Sequence, residues 1–567
     1  MLVVSRQVPV ETQLTCCRQI LRDHNYFSKM FHGVAFRFCN LSSKSVETRW
    51  RSLTPIVIGL LAFTGSAMIG LIGGIAQPTV HDEFSYLLAG DTFAHGRLTN
   101  PTHPLWVHFE SIHVLHQPTY MSKFPPGPGA MLALGQWLSG YPIVGVWLSM
   151  GLMCAAICWM LQAWVSPRWA AIGGLFSVLH PHLGIGGYWA QSYWGGALAA
   201  TGGALVLGGI RSLLKEPQIH RALLTGLGLT ILANSRPYEG LLVGVCAGLA
   251  LLMGLLRKRD IERNLLVRKV ILPLLLICTA TGAWIGYYNF RLTGSAFRLP
   301  YQVYEADYGV APLFVWQQPA PVPNYRHARI GEFHTIYAPF FYAEKHSWIG
   351  FAKVNFDAWL AYAYLAGNVF LIPLIVNIRG LARWTLRNAW ARTAFITYAV
   401  VTLGLMMETY SLLHYWAPIV ALNYYFAVQA LRLWSRRDRR LKPFIVPVIF
   451  CLVVMLLTIT TSRRIRAENN PLAPQTQHAN LLAHLRAQPG KQVVLVKDGR
   501  QKSGDHEWIY NEADIDRAKV VWAHDMGTTE NCKLVEYFKD RVIWSLTIER
   551  DDAPVKLNSF PRQSCVP

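Results

Sequence analysis

Two adjacent carboxylates, Asp82 and Glu83, open a segment that holds few cations before Lys123. Carboxylates in such a place can take a proton from a hydroxyl, orient it, or ligate a metal. Lys123 precedes Phe124-Pro125-Pro126-Gly127. The two prolines fix an extended turn, which holds the ammonium in one place, as a phosphate partner requires. Each motif also has a plainer reading. The spacing of Phe84, Leu87, Leu88 and Phe93 predicts a helix over 84–95, and Asp82 and Glu83 at its start would cap it and complement its dipole. Lys123 would then be an interfacial lysine whose stem packs on apolar surface.

Further sets of reactive or recognising residues lie at similar boundaries. Arg236 and Glu239 sit in Asn234-Ser235-Arg236-Pro237-Tyr238-Glu239-Gly240, between two apolar runs. Opposite charges there are costly unless paired or used. Tyr188, Trp189 and Trp194 make an aromatic turn, and His414-Tyr415-Trp416 begins another apolar run. Aromatic rings are enriched at membrane interfaces and also stack on sugars. Glu110, His113 and His116 are spaced by three, so a helix would place them on one face. With Glu83 they are the candidate ligands of a divalent cation, although nearby prolines and aromatics oppose a helix. Asp514-Ile515-Asp516 has the D-x-D form of nucleotide-sugar enzymes, a reading rejected because nucleotide sugars are cytoplasmic and this segment is expected outside.

The elements that must hold these residues follow from composition. The 567 residues are 52% hydrophobic and 15% charged, with 53 Lys and Arg against 32 Asp and Glu. That leaves a nucleic-acid binder or a multipass membrane protein. Runs long enough for a bilayer decide for the second. Eleven are expected: Leu53–Ile75, Ile143–Ala163, Trp169–Gly186, Tyr193–Ile210, Ala222–Ser235, Tyr238–Leu256, Val270–Phe290, Trp359–Ile378, Thr393–Met407, Ala417–Leu433 and Phe444–Thr461. Lys and Arg collect in 1–52, 211–221, 257–269, 379–392 and 432–442, whereas 76–127 holds only Arg97 and Lys123. Basic loops stay cytoplasmic. The expected topology therefore has the N-terminus inside, with loop 76–127, loop 291–357 and the tail outside. The basic excess is topological, and no nucleic-acid partner is expected.

Three parts are expected: a cytoplasmic basic leader over 1–52, a transmembrane part over 53–461, and an extracytoplasmic tail over 462–567. The leader lacks the long apolar stretch of a signal peptide. Loop 291–357 is rich in Tyr, Pro and His and reads as a lid. In the tail, short apolar strands alternate with helices, which predicts a small α/β domain with a parallel sheet. The tail also carries Cys532 and Cys565, expected to pair there if the compartment is oxidising. No C-x-x-C pair exists to suggest a zinc ribbon.

A basic N-terminus, one span, and then a loop opening Asp82-Glu83-Phe84-Ser85-Tyr86 and closing Lys123-Phe124-Pro125-Pro126 resembles the GT-C glycosyltransferases. The similarity is greatest to the bacterial protein O-mannosyltransferase and aminoarabinose-transferase group, whose loop reads roughly D-E-x-x-Y to K-P-P. Phe124 is an insertion into that pattern, and the tail lies outside the resemblance. Arg236-Pro-x-Glu239 and His414-Tyr415 also look like motifs of uncharacterised members.

The resemblance implies a polytopic helical bundle in the bacterial inner membrane, transferring a hexosyl or pentosyl sugar with inversion. The donor would be a polyprenyl-phosphate sugar and the acceptor a glycan, lipid or protein on the outer face. Asp82 would be the base, or the carboxylate that orients the acceptor, with Glu83 holding the site or a metal. Lys123 and Arg236 would neutralise the phosphate, and Tyr86, Tyr188, Trp189, Tyr238, Glu239, His414 and Tyr415 would line the substrate site. The rival classes are a transporter, which should show mid-span charges and inverted repeats, and a non-catalytic envelope-assembly protein, which would need neither Asp82 nor Lys123.

Overall fold

Long apolar runs broken by Gly, Pro and basic residues fold here as helices of membrane length. The computed structural model describes residues 44–194, 196–257, 263–438, 440–500, 506–551 and 553–565. Most of the expected leader, with Cys16, Cys17 and Cys39, lies outside them. The chain divides into two units, Met1–Thr54 and Pro55–Pro567.

Helix α1 (Lys44–Gly73) leads into α2 (His81–Ala94), followed by three short antiparallel strands, β1 (Asn100–Pro101), β2 (Val114–Leu115) and β3 (Thr119–Ser122), in the order β1-β3-β2. Next come α3 (Pro126–Ser139), α4 (Ile143–Trp164), α5 (Pro167–Val178), α6 (Gly196–Lys215), α7 (Ile219–Ala233), α8 (Pro237–Arg257) and α9 (Leu272–Thr293). The long loop contributes α10 (Pro300–Tyr308). The bundle then finishes with α11 (Trp348–Tyr362), α12 (Ile378–Arg387), α13 (Ala389–Met406), α14 (Val420–Arg437) and α15 (Lys442–Glu468).

Among the described residues, eight helical segments are long and apolar enough to cross a membrane. Three of the eleven expected spans depart from that length or composition. Trp169–Gly186 becomes the 12-residue α5, because Pro181, Gly184, Gly186 and Gly187 turn the chain. Ala222–Ser235 is the 15-residue α7, stopped ahead of Pro237. Ala417–Leu433 is α14, whose Arg432, Arg436 and Arg437 make it too charged. Helix α15 shows the pattern expected of a lipid-facing helix. It buries Ile445, Ile449, Val453 and Leu457, four residues apart, and exposes Phe444, Val448, Val454 and Met455. The apolar stretch 128–138, too short to span alone and readable in sequence as the start of the second span or as a re-entrant piece, forms the separate helix α3, which packs on α2. A Cβ on Gly129 would lie 2.6 Å from Ala89 Cβ, so the close approach of the two helices needs the missing side chain.

The tail folds as α16 (Pro474–Ala487), β4 (Gln492–Asp498), β5 (Val520–His524), α17 (Thr528–Tyr537), β6 (Val542–Ile548) and β7 (Lys556–Ser559). The sheet order is β5-β4-β6-β7. Strands β5 and β6 pair parallel to β4, and β7 adds an antiparallel edge that the alternation in sequence did not announce. Strand β4 is buried on both faces, which explains its unbroken Val-Val-Leu-Val. Cys532 and Cys565 form a disulfide with a Cα–Cα distance of 5.2 Å, tying α17 to the last described residues. Leu88, Phe109 and Val114 share an apolar cluster with Val493, Val521 and Leu534, so loop 76–127 is packed between bundle and sheet.

Candidate active site

The two adjacent carboxylates diverge. Glu83 is the third residue of α2, and its side chain folds back over the helix start. It accepts hydrogen bonds from Thr79 N (2.8 Å), Thr79 Oγ1 (2.9 Å) and Val80 N (3.3 Å), and across the fold from Tyr193 N (2.7 Å). Only 1% of it is exposed, and burial pushes its pKa up in spite of these donors. Glu83 is therefore the helix cap and a staple to the aromatic turn. That use fills its oxygens and removes it from the expected metal set.

Asp82 points the other way, into a cavity of about 140 Å³. Its Oδ2 lies 3.2 Å from His81 Nδ1 and 3.7 Å from His113 Nε2. Burial acts to raise its pKa, but the His81 hydrogen bond and the charges of His81, Lys123 and Arg236 outweigh it, so Asp82 ionises below the usual carboxylate range. Burial, with help from Lys123, holds His113 well below the usual imidazole value, and the ring is neutral near pH 7. One ligand atom from each of His81, Asp82 and His113 lies within 4.8 Å of the others. Neutral imidazole with carboxylate is a donor set that suits a divalent transition metal.

The backbone at His113 explains why Glu110, His113 and His116 do not converge. His113 has φ of 68°, the left-handed region, which ends any helix through 110–116. Its carbonyl accepts from Ser85 Oγ (2.7 Å) and Lys123 N (3.1 Å), and its N–H donates to Tyr304 Oη (3.0 Å). Three bonds thus hold one strained residue, the pattern found where strain serves a site. Glu110 is turned elsewhere. It accepts from Tyr308 Oη (2.7 Å) and lies 3.3 Å from both Arg326 and His327. His116 stacks on Tyr120 and Trp106, away from Asp82.

Lys123 is 4% exposed and faces inward. Its ammonium lies 3.0 Å from Glu305 Oε1, and 4.5 and 4.2 Å from the ring centroids of Tyr301 and Tyr304. The Pro-Pro-Gly turn that follows is pinned: Gly127 N donates to Asn234 O (2.8 Å), where a Cβ would come within 2.6 Å. Asn234 leads directly to Arg236, so this contact brings the two basic motifs together. Arg236 lies 3.6 Å from Glu239 and stacks at 4.5 Å on Tyr415.

Asp82, Lys123 and Tyr415 line the cavity. The other expected binding residues do not line it. Tyr86 stacks on Phe124, Trp189 is 1% exposed, Tyr238 Oη donates to Gly404 O, and His414 packs against Trp194. In the aromatic turn it is Trp194, rather than Tyr188 or Trp189, that reaches the cavity. Sequence reasoning missed His81, Tyr301, Glu305, Phe333, His334, Tyr337 and Tyr410 as lining residues. Most come from the 291–357 loop, whose aromatic content was the available signal. The tail is tied to loop 76–127 by Glu507, which accepts from Ile112 N (3.3 Å) and Ile509 N (2.9 Å), and by Ala513 N, which donates to Asp91 of α2 (2.7 Å). Asp514 caps a turn at Arg517 N, and Asp516 lies 3.3 Å from His103, so the D-x-D pair is used structurally.

No family model matches the sequence, and no curated protein matches it. Solved structures do match. ArnT from Cupriavidus metallidurans bound to undecaprenyl phosphate superposes with a TM-score of 0.52 at 12% identity, over 88% of this chain and 93% of that one. Its apo form gives 0.51 over the same shares. The apo oligosaccharyltransferase of Archaeoglobus fulgidus gives 0.45 at 12% identity over 78% of this chain, which spans 62% of that protein's length. The chain has the fold of the polytopic GT-C membrane glycosyltransferases, the group that its loop motifs resemble.

Proposed function

We propose that this protein transfers a sugar from a polyprenyl-phosphate donor to an acceptor hydroxyl at a membrane surface, with inversion at the anomeric carbon. The observation that carries the reading is one cavity holding an ionised, histidine-flanked carboxylate and a buried lysine, with Arg236 behind its Tyr415 wall. The ArnT likeness supports a lipid-phosphate donor, since that protein's structure holds undecaprenyl phosphate. The basic loops favour an inside N-terminus and a cavity on the outer face of the bacterial inner membrane.

The acceptor oxygen attacks the anomeric carbon, the bond from that carbon to the phosphate oxygen breaks, and the lipid phosphate leaves with the electron pair. The acceptor proton passes to Asp82. Both histidines address Oδ2, which leaves Oδ1 for the acceptor. A divalent cation held by His81, Asp82 and His113 would supply Lewis-acid polarisation of the acceptor hydroxyl. Lys123 and Arg236 stabilise the leaving phosphate, a charge that grows in the transition state and so gains most from fixed cations. Phosphate binding at Lys123 requires Glu305 to yield or share the ammonium. Tyr301, Tyr410, Tyr415 and Trp194 offer faces for the sugar.

The test is transfer from a purified polyprenyl-phosphate sugar by the wild-type protein and Asp82→Asn. Transfer by the wild type and its loss in the folded variant are expected. Wild-type turnover in Asp82→Asn refutes the assignment of the base.

A further inference from the structure

A second cavity, of about 470 Å³, lies among α11, α12, α13 and α14 and shares no lining residue with the first. Its size is that of a small-molecule site, about 300–1,000 Å³. It reaches α13 at Phe395 and Tyr398, whereas the first cavity is lined by Tyr410, Leu412 and Tyr415, beyond the end of that helix at Met406.

The cavity exists because the helix that begins at Trp348 breaks. Ala363–Gly367 forms a wide turn, and Asn368 takes φ of 47°. Interrupted backbone at this depth persists only where its freed groups find partners. His180 Nε2 supplies one, at 3.0 Å from Ala366 O. Ala363, Ala366 and Gly367 leave space where larger side chains would fill it, and Phe370, Tyr398 and Tyr424 close the sides. Inside, Asn423 Nδ2 donates to Tyr362 Oη (2.7 Å), so that pair satisfies itself and the remaining wall is almost wholly apolar. At the rim Phe395, Ile378 and Leu386 are 56%, 64% and 69% exposed, so the opening is itself greasy.

Helix α12 supplies the charge. Ile378, Leu381, Ala382, Thr385 and Leu386 line the cavity, while Arg379, Arg383 and Arg387 recur every four residues along the flank. All three arginines are exposed, and none pairs with a carboxylate among the described residues. An apolar slot edged by a row of guanidinium groups matches a lipid that can place one acyl chain in the slot and an anionic head on the arginines. We propose that this groove binds an anionic phospholipid, with an acyl chain in the slot and the phosphate head against Arg379, Arg383 and Arg387.

The test reads bound lipid rather than turnover, so it stands apart from the transferase reading. The full-length protein is reconstituted in nanodiscs of equal phosphatidylcholine and phosphatidylglycerol, released into mild detergent, and weighed by native mass spectrometry. One retained phosphatidylglycerol per chain is expected, in excess over phosphatidylcholine. Arg379→Gln/Arg383→Gln/Arg387→Gln should reduce that excess by about tenfold or more, since each cation near an anionic head contributes several-fold. Ala382→Trp, which fills the slot from an exposed helix position, should abolish retention of both lipids. Equal retention of the two lipids by the wild type, an unchanged excess in the triple variant, or a polyprenyl lipid in place of phosphatidylglycerol overturns the proposal.

Discussion

Loop 76–127 holds two carboxylates surrounded by histidine, and they differ in what is left over. Glu110 is 1% exposed and meets Tyr308, Arg326 and His327, while its backbone carbonyl accepts from His524 Nε2 of the tail (2.7 Å). Asp82 meets two histidines through one oxygen, and 22% of its side chain is open to a cavity. The same residue types thus serve as a joint in one place and, in the proposed function, as the reactive centre in the other. Hydrogen-bonding capacity directed into space that a ligand can enter separates them, and residue type does not. Glu83 repeats the lesson one position from Asp82, with its acceptors used on four donors.

Paired substitutions at Asp82 and Glu110 separate the two roles most clearly. Asp82→Asn should lower transfer by about 10²–10⁴-fold, the usual worth of a positioned base, with little change in melting temperature. Glu110→Gln should keep most of the activity and lose about 1.5–3 kcal/mol of stability, as for a buried charged hydrogen bond. Glu110 ionises below its ordinary value, because its hydrogen bonds and charge contacts with His327 and Tyr308 overcome burial. Its stabilisation is therefore present above the unfolded pKa of about 4.3 and is lost as pH falls through the folded one. Thermal melts and initial rates on the two variants check both halves, and a large rate loss in Glu110→Gln with unchanged melting would erase the distinction.

Phosphate recognition involves Lys123 and Arg236. Lys123→Ala should raise the donor KM and reduce kcat together, by about 10–100-fold in kcat/KM, and Arg236→Ala should act in the same direction. If both share one phosphate, the double variant will lose less than the product of the single losses. Fully multiplicative losses, measured with a purified donor, would place the two cations on different groups.

Gly127→Ala tests positioning without touching a charge. A Cβ there would press on the Asn234 carbonyl, so the turn must shift, at about 1–3 kcal/mol. Activity should fall several-fold through Lys123 and Arg236, while donor-independent folding in the membrane is retained. Wild-type kinetics would show that the Gly127–Asn234 contact does not set the site.

The smallest expected effect is a flat pH profile. Asp82 is held below the usual carboxylate range, and His113 well below the usual imidazole value. Neither gains a proton near neutral pH, so kcat/KM should show no acid limb from them at the ordinary imidazole value. A limb with its midpoint near 6.5 would make an imidazole the base.

Much of this arrangement was legible in the chain itself. Apolar runs gave the polytopic bundle, and strand–helix alternation gave the α/β tail. The pairing of Cys532 with Cys565 was predicted from their placement in one segment. Asp82 and Lys123 stood out because they interrupt a cation-poor loop, and both reach the cavity. The spacing of Glu110, His113 and His116 misled, because a 3.6-residue period has meaning only inside a helix, and the positive φ at His113 removes the helix.

Local composition and spacing fix which segments are apolar enough for a membrane and which motifs lie at their ends. Tertiary structure alone decided that Glu83 caps while Asp82 faces the cavity, that Glu305 pairs with Lys123 across 182 positions, and that Gly127 sets the Pro-Pro turn against Asn234. Whether a carboxylate reacts or supports depends on which donors reach it and on the space they leave. Donors such as Tyr193 N and Tyr308 Oη arrive from segments far along the chain, which only packing brings within reach.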